Sequence, residues 1–504
     1  MIAILLRDIP FEQDIRELFM AFYPGERYVH EPDENAMIVF SGKKEPDGEG
    51  GAGAERFAME ILFKEEDGTE RRTAFSTPVL KERSDNKNRI KRALYQALLK
   101  ERGEPLPWGT LTGIRPTKVA LAELEKGVSP EEVERQFTER FFTSPEKASL
   151  CVRTAVHERE TLKRVDVENG WSLYIGIPFC PTTCAYCSFT SYPIARWKKR
   201  VGEYIGALKE EMKTVAEWMR ERPLQTVYMG GGTPTSIEAE ELKEILECVR
   251  ETFDLSSLKE LTVESGRPDS ITREKLLAMK ACGVSRISIN PQTLKQETLD
   301  IIGRRHTVQQ FIDSFRLARS LGFDNINTDL IVGLPNETLE DVRNTMEGIM
   351  ELAPDDVTVH SLAVKRAARI NTDREAFRDT RMVGTWEMIS LTAEYAERMG
   401  LSPYYLYRQK NMTGNFENVG YCRPGHEGLY NILIMEEKQT IIGCGAGTTS
   451  KFVYPGITRI ERAENVRDPG LYIEKLPEML GRKRRLLRPD FILARRQGGK
   501  VKLF

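Results

Sequence analysis

Three cysteines stand within eight residues of one another in Tyr174-Ile-Gly-Ile-Pro-Phe-Cys180-Pro-Thr-Thr-Cys184-Ala-Tyr-Cys187-Ser-Phe189, spaced Cys-x-x-x-Cys-x-x-Cys. Thiolates are soft ligands, and iron-sulfur clusters or zinc are what such a group ordinarily holds. Counting ligands separates the two. A structural zinc ion takes four protein ligands, commonly as two pairs of Cys or His on separate turns. No second pair stands at a suitable spacing nearby, and the nearest histidine, His157, lies more than twenty residues upstream. Three cysteines on one short loop can instead hold three irons of a [4Fe-4S] cluster and leave the fourth open to a small molecule.

A loop of this kind needs a scaffold. From residue 166 to about 380 one unit repeats: a short apolar strand, a loop with a polar residue, an amphipathic helix. The expected strands are Ser172 to Ile177, Thr226 to Met229, Glu260 to Val263, Arg286 to Ile289, Asn325 to Leu330 and Asp356 to Val359. Strands alternating with helices predict an α/β fold with a parallel sheet, here a partial (β/α)6 barrel. Parallel barrels place their chemistry at the C-terminal strand ends. In order, those ends carry the cysteine loop, Gly230-Gly-Gly-Thr-Pro-Thr235, Glu264, Gln292, Asp329 and His360. Successive glycines let backbone N–H groups approach a carboxylate or phosphate, although such turns also serve only to turn.

The flanks read differently. Residues 1–165 predict an N-terminal α+β domain with a small antiparallel sheet from Ile2 to Leu6, Ala36 to Phe40, Ala58 to Phe63 and Arg72 to Phe75, and with Ser41 to Glu55 as a hairpin loop. A helix follows from Asn86, with Ile90, Ala93, Leu94, Ala97 and Leu98 on one face. Its segment Lys81 to Arg102 carries eight Lys or Arg against three acids, which reads first as solvated surface and second as an anion-binding face. Residues 381–504 predict a C-terminal α+β extension with a helix from Val383 to Met399 and a glycine turn, Ile442-Gly-Cys-Gly-Ala-Gly447. Cys422 and His426 are spaced to share a metal or haem, but two ligands without partners are usually a loop detail. The tail Gly481 to Phe504 is basic, again solvated surface first and an RNA-like partner second.

With 504 residues, 40% hydrophobic content and a net charge of −2, the chain has ordinary packed domains and no global preference for anions. No run of eighteen apolar residues predicts a membrane span. Met1-Ile-Ala-Ile-Leu-Leu-Arg7 is too short for a signal-peptide core. Five of the eight cysteines are scattered, which suits a reducing cytoplasm better than a disulfide framework.

The cysteine spacing resembles that of the radical S-adenosylmethionine superfamily. Tyr174-Ile-Gly-Ile-Pro-Phe-Cys180, Tyr228-Met-Gly-Gly-Gly-Thr-Pro-Thr235, Arg286-Ile-Ser-Ile289 with Gln292, Ile302-Gly-Arg-Arg-His306 and Asn327-Thr-Asp-Leu-Ile-Val-Gly-Leu-Pro335 resemble, more narrowly, the oxygen-independent coproporphyrinogen III oxidase family. The N-terminal extension and Pro107 to Lys118 resemble its longer coproporphyrinogen dehydrogenase (HemZ) branch. The resemblance implies a [4Fe-4S] cluster on Cys180, Cys184 and Cys187, with S-adenosylmethionine cleaved to a 5'-deoxyadenosyl radical. It also implies Tyr174 near the sulfonium, Gly231, Gly232 and Thr233 at the methionine end, and Glu264 on the ammonium. Gln292, Arg304 and Asp329 would reach the carboxylate or ribose side, and Tyr174, Glu264 and Arg304 would act in catalysis. The chemistry agrees, because a zwitterionic ligand needs a carboxylate, a cation and an acid for its ribose hydroxyls. Arg304 also reads as one of a surface pair with Arg305, and His306 and His360 as structural histidines or substrate contacts.

The implied reaction converts coproporphyrinogen III to protoporphyrinogen IX in haem biosynthesis, by oxidative decarboxylation of propionates. The implied partners are an anionic tetrapyrrole and an electron donor such as flavodoxin or ferredoxin. Arg267, Lys365, Arg366, Arg369 and Arg408 are candidate cations for the carboxylates. The pattern departs in two places. Phe189 stands where the oxidase has a fourth cysteine, as in haem-chaperone relatives, while a histidine usual in that chaperone group is Gly176 here. A haem-binding chaperone and a radical enzyme acting on another substrate such as RNA therefore remain as alternatives.

Overall fold

A computed structural model describes residues 1–47, 53–65, 67–189, 191–365, 368–373, 375–409, 416–454 and 460–487. Two compact units divide at residue 152, the first spanning 1–152 and the second 153–504.

The first unit holds a five-stranded sheet: β1 (Ile2–Arg7), β2 (Tyr28–Val29), β3 (Ile38–Pro46), β4 (Glu55–Lys64) and β5 (Glu70–Pro78), in the order β2-β1-β3-β4-β5. The expected antiparallel sheet is in fact mixed, because β1 pairs in parallel with both β2 and β3 while β3, β4 and β5 are antiparallel. The helix Glu12–Phe22 between β1 and β2 reverses the chain, and a crossover makes parallel neighbours where a hairpin makes antiparallel ones. Phe57, Met59, Ile61 and Phe63 alternate along β4 into a core with Ile15, Leu18 and Phe19 and with Ile90, Leu94 and Leu98 of the helix Arg83–Arg102. That helix's basic side chains are partly structural: Arg83, Arg92 and Arg102 lie over the rings of Phe11, Phe142 and Tyr23.

The second unit is built on one large sheet. Its strands are β6 (Trp171–Ile177), β9 (Leu224–Gly231), β10 (Glu260–Glu264), β11 (Arg286–Ser288), β12 (Ile326–Val332) and β13 (Asp356–Ser361), with β14 (Ser402–Tyr407), β15 (Asn418–Cys422), β16 (Thr440–Cys444), β17 (Thr449–Phe452) and β18 (Glu461–Glu464). The short pair β7 (Phe179–Cys180) and β8 (Tyr192–Pro193) stands apart at the cysteine loop. The order is β14-β15-β13-β12-β11-β10-β9-β6-β16-β17-β18. From β6 to β13 every pairing is parallel, with helices Val201–Met219, Ala239–Thr252, Arg273–Ala281, Val308–Ser320 and Leu339–Leu352 between the strands. All six expected strands are present, and the architecture is the partial (β/α)6 barrel. Capping boxes at Thr307 with Gln310 and Thr338 with Asp341 start two of the helices sharply, which fixes the loop lengths above the strand ends.

Residues beyond 381 join this same sheet at both sides. β14 and β15 add antiparallel beside β13, while β16 adds parallel beside β6 and carries the glycine turn. Strand β6 accepts that turn closely, since a Cβ on Gly176 would stand 2.5 Å from Thr448 Cγ2. Among the described residues all eight cysteines are free, and no helix is long and apolar enough to cross a membrane.

Candidate active site

The cysteine loop leaves β6 and is pinned at several points. β7 and β8 close its base, Ala185 N donates to Ile302 O at 2.8 Å, and Thr182 Oγ1 to Gly303 O at 3.2 Å. All three cysteines line a cavity of about 400 Å³ at the C-terminal strand ends. Burial pushes the Cys180 thiol up to about 11, and raises Cys187 as well. Such thiols stay protonated until a metal takes the proton's place.

The glycine run serves the loop first. Gly232 N donates to Ile177 O and Thr233 N to Phe179 O, both at 2.7 Å, so these two N–H groups stitch β9 to the cysteine loop and do not point at a ligand. The close approach needs glycine, because a Cβ on Gly232 would stand 2.5 Å from Phe179 O. Gly231, at φ +109°, lies against Tyr174. Thr233 Oγ1 lies 3.5 Å from Cys180 Sγ.

Glu264 ends β10, and Tyr228 donates its hydroxyl hydrogen to it. Burial pushes this carboxyl up to about 7. Tyr174, Tyr228 and Tyr430 form a stack, with centroids 6.1 Å apart for Tyr174 and Tyr228 and 4.5 Å for Tyr228 and Tyr430. Tyr174 lines the cavity with its ring held by this stack. The wall continues with Asp329, which accepts from Asn290 Nδ2 and Asn327 Nδ2, each at 2.7 Å, and faces His360 Nε2 at 3.9 Å. Burial works to raise this carboxyl, yet His360 and Asn327 hold it below its ordinary value. Gln292 adopts φ +73°, a left-handed conformation rare outside glycine, with its N–H on Asp329 O at 3.1 Å and its carbonyl accepting from Ile331 N at 2.9 Å. Arg304 is buried, not a surface residue, and donates to the carbonyl of Asn290.

A model of the Radical SAM superfamily matches residues 174–349. The chain is 40% identical over 431 residues, 84% of it and 86% of the relative, to the oxygen-independent coproporphyrinogen-III oxidase-like protein HemZ of Bacillus subtilis (strain 168). The chain belongs to the HemZ-like branch of the radical SAM superfamily. It is also 30% identical over 336 residues, 65% of the chain and 82% of the relative, to the heme chaperone HemW of Lactococcus lactis subsp. lactis (strain IL1403). Its fold is similar to that of coproporphyrinogen III oxidase (HemN) from Escherichia coli, with a TM-score of 0.51 and 22% identity over 65% of this chain and 73% of that one.

Radical SAM proteins use a [4Fe-4S] cluster and S-adenosylmethionine, and the donor set here fits both. Three thiols on one loop suit the cluster. Around the same cavity stand the carboxyl of Glu264, the guanidinium of Arg304 and the carboxylate of Asp329 beside two amides, the group types that a zwitterion and ribose hydroxyls pair with. Every residue expected at the site lines this cavity: Tyr174, Cys180, Cys184, Cys187, Gly231, Gly232, Thr233, Glu264, Gln292, Arg304 and Asp329. His360 lines it too. His306 is fully buried with neither ring nitrogen hydrogen-bonded, and burial first, then Arg304, lowers it to about 3.

The expected mouth cations divide. Lys365 lines the cavity and sits 5.4 Å over the Phe189 ring. Arg267 lines it too, and is locked against the cysteine loop by Asp269. Arg369 lies over Phe377, Arg408 is buried and Arg366 lies outside the described residues. Among the described residues, Cys422 stands in a group of three possible metal ligands with His157 and Glu427, where His157 Nε2 meets Glu427 Oε1 at 2.9 Å and Arg164 adds a second bond to that carboxylate. The basic tail lies outside the described residues from 488 onward.

Sequence reasoning missed the Tyr430 contribution, because its stacking partners lie some two hundred or more residues away in the chain. It also missed Arg286, which lines the cavity while buried on Asp356 at 2.7 Å. Its only signal was a charge inside an apolar strand.

Proposed function

We propose that this chain catalyses the oxygen-independent oxidative decarboxylation of coproporphyrinogen III propionates. The observation that carries the reading is the convergence of three cysteines with Glu264, Arg304 and Asp329 around one cavity. The 40% identity to a protein named as coproporphyrinogen-III oxidase-like supplies the substrate class.

Cys180, Cys184 and Cys187 would hold the cluster. Glu264 would accept from the ammonium of S-adenosylmethionine, and Gly231, Gly232 and Thr233 would shape the wall around its methionine end. Arg304 would face the carboxylate, Asp329 and Gln292 the ribose, and the Tyr174 ring the sulfonium. When bound, the cofactors would supply the hydrogen-abstracting radical chemistry by which a propionate could lose a β-hydrogen atom, carbon dioxide and one electron to leave a vinyl group. Lys365, on the cavity wall, would pair with a substrate carboxylate. A flavodoxin or ferredoxin would supply the reducing electron.

Anaerobically reconstituted protein with reductant, S-adenosylmethionine and coproporphyrinogen III tests the reading. The expected products are 5'-deoxyadenosine and the divinyl tetrapyrrole, and 5'-deoxyadenosine without the divinyl product would overturn it. The second reading, haem transfer, is favoured by the 30% identity to HemW. Stoichiometric, transferable haem with no turnover would establish it instead.

A further inference from the structure

Arg267 stands three residues beyond β10, with only 3% of its surface exposed. Its Nε and Nη2 fork onto the two oxygens of Asp269 at 2.9 and 2.7 Å. Its Nη1 points the other way, donating to Thr182 O at 3.2 Å and Thr182 Oγ1 at 3.0 Å, and lies 3.6 Å from Cys184 Sγ. One planar group therefore spans the loop between the first two cysteines and aims a charged donor at a sulfur. Although burial pushes the Asp269 carboxyl up, Arg267 holds it below its ordinary range, so the pair is ionised. A bidentate carboxylate fixes the guanidinium plane, and a lysine ammonium cannot reproduce those directions.

We propose that Arg267 sets the reduction potential of the cluster through a charge-assisted N–H···S bond to Cys184. This rests on the reading that Cys180, Cys184 and Cys187 hold that cluster. Reduction adds one electron, supplied by a low-potential donor, and increases the negative charge on the ligating sulfurs. A buried cation and donor at one sulfur stabilise the reduced form more than the oxidised form, and the potential rises. Arg267 is thus a tuning and positioning residue that acts through Cys184. Arg304 and Lys365 also stand on the cavity wall, but Arg267 is the cation whose N–H meets a cysteine sulfur at hydrogen-bonding distance while its own plane is fixed by a carboxylate.

The test is a dithionite titration of the anaerobically reconstituted full chain, followed by electron paramagnetic resonance, beside Arg267→Lys and Arg267→Met. Iron and sulfide per chain are measured in each. The expected order of midpoints, highest first, is the unaltered chain, Arg267→Lys, Arg267→Met. The reduction equilibrium of Arg267→Met is expected to fall about tenfold, which is about 59 mV for one electron. A purely structural role would change cluster content and leave the midpoint of the loaded fraction unmoved, and that result overturns the proposal. If Arg267→Met takes up no cluster, an unchanged midpoint in loaded Arg267→Lys overturns it equally. An unaltered chain that takes up no four-iron cluster overturns the underlying reading of the cysteines instead.

Discussion

Tyr228 donates its hydroxyl hydrogen to Glu264 at the end of the neighbouring strand, in a register where Thr262 stands opposite Tyr228 across the parallel pair. A neutral donor thus holds the carboxyl that we propose receives an ammonium, and burial has already raised its proton affinity.

The first prediction concerns pH. Glu264 is pushed up to about 7 from an ordinary 4.5, so the folded, unliganded chain binds this proton more tightly than the unfolded one. Its contribution to stability is therefore full below the ordinary value and is lost as pH rises through about 7. Ligand binding has the opposite sign, because an ammonium needs the carboxylate. Affinity of the reconstituted protein for S-adenosylmethionine, measured by anaerobic calorimetry, should rise between about pH 6 and 8 and then level. Tyr228→Phe removes a bond that lowers the carboxyl, and should move that rise to higher pH. A flat profile would count against the ammonium role.

Gly232 makes a second, steric prediction. Its Cβ position is bounded by backbone, with Phe179 O at 2.5 Å and Ile177 O at 3.0 Å, so a side chain there must displace the cysteine loop. Gly232→Ala should lose about 1–3 kcal/mol of stability and take up less iron and sulfide. Gly206, inside the helix Val201–Met219, has nothing within 4 Å of its Cβ position. Gly206→Ala should be neutral or stabilising by up to about 1 kcal/mol. Thermal unfolding and metal analysis of the two variants check both.

Much of the barrel was legible because its six strands are apolar runs bounded by turn residues, each followed by a polar side chain at the strand end. The cavity residues were legible for the same reason, since strand ends converge once the sheet is parallel. What the chain order hid was pairing between distant segments. Nothing local in Thr440–Cys444 says that it lies parallel to β6, and nothing in Ser402–Tyr407 says that it extends the sheet beyond β13. The glycine run was legible as a close approach, but not that the approach is to Phe179 O. Arg267 was legible as a cation at the cavity, but a lone arginine after a strand gives no hint of Asp269 turning it toward the cysteines.

A third prediction concerns the anchoring of the C-terminal segment. Glu211 is fully buried and accepts from Lys483 Nζ at 2.6 Å, Tyr472 Oη at 2.7 Å and Gly445 N at 2.7 Å. One carboxylate so ties the glycine turn, the helix Leu476–Arg484 and the helix Val201–Met219 together. Lys483→Met should cost about 3–5 kcal/mol, because the buried carboxylate loses its counter-charge. Adding Glu211→Gln should recover part of that loss, and denaturant unfolding of the single and double variants measures the coupling.

The last prediction separates function from stability at Gln292. Its φ of +73° is strained for a long side chain, and the backbone is held there by the bonds to Asp329 O and from Ile331 N, which do not depend on the side chain. Asparagine tolerates this conformation better than glutamine and keeps an amide, but its shorter side chain reaches less far into the cavity. Gln292→Asn should therefore unfold at the same temperature as the unaltered chain or slightly above it. Its affinity for S-adenosylmethionine should fall, by about tenfold for one lost hydrogen bond of roughly 1.4 kcal/mol. A loss of stability together with affinity would mean that the side chain supports the strand end and does not reach the ligand. Retained affinity would remove Gln292 from the ribose side of the site, leaving Asp329 with its two asparagines to carry it.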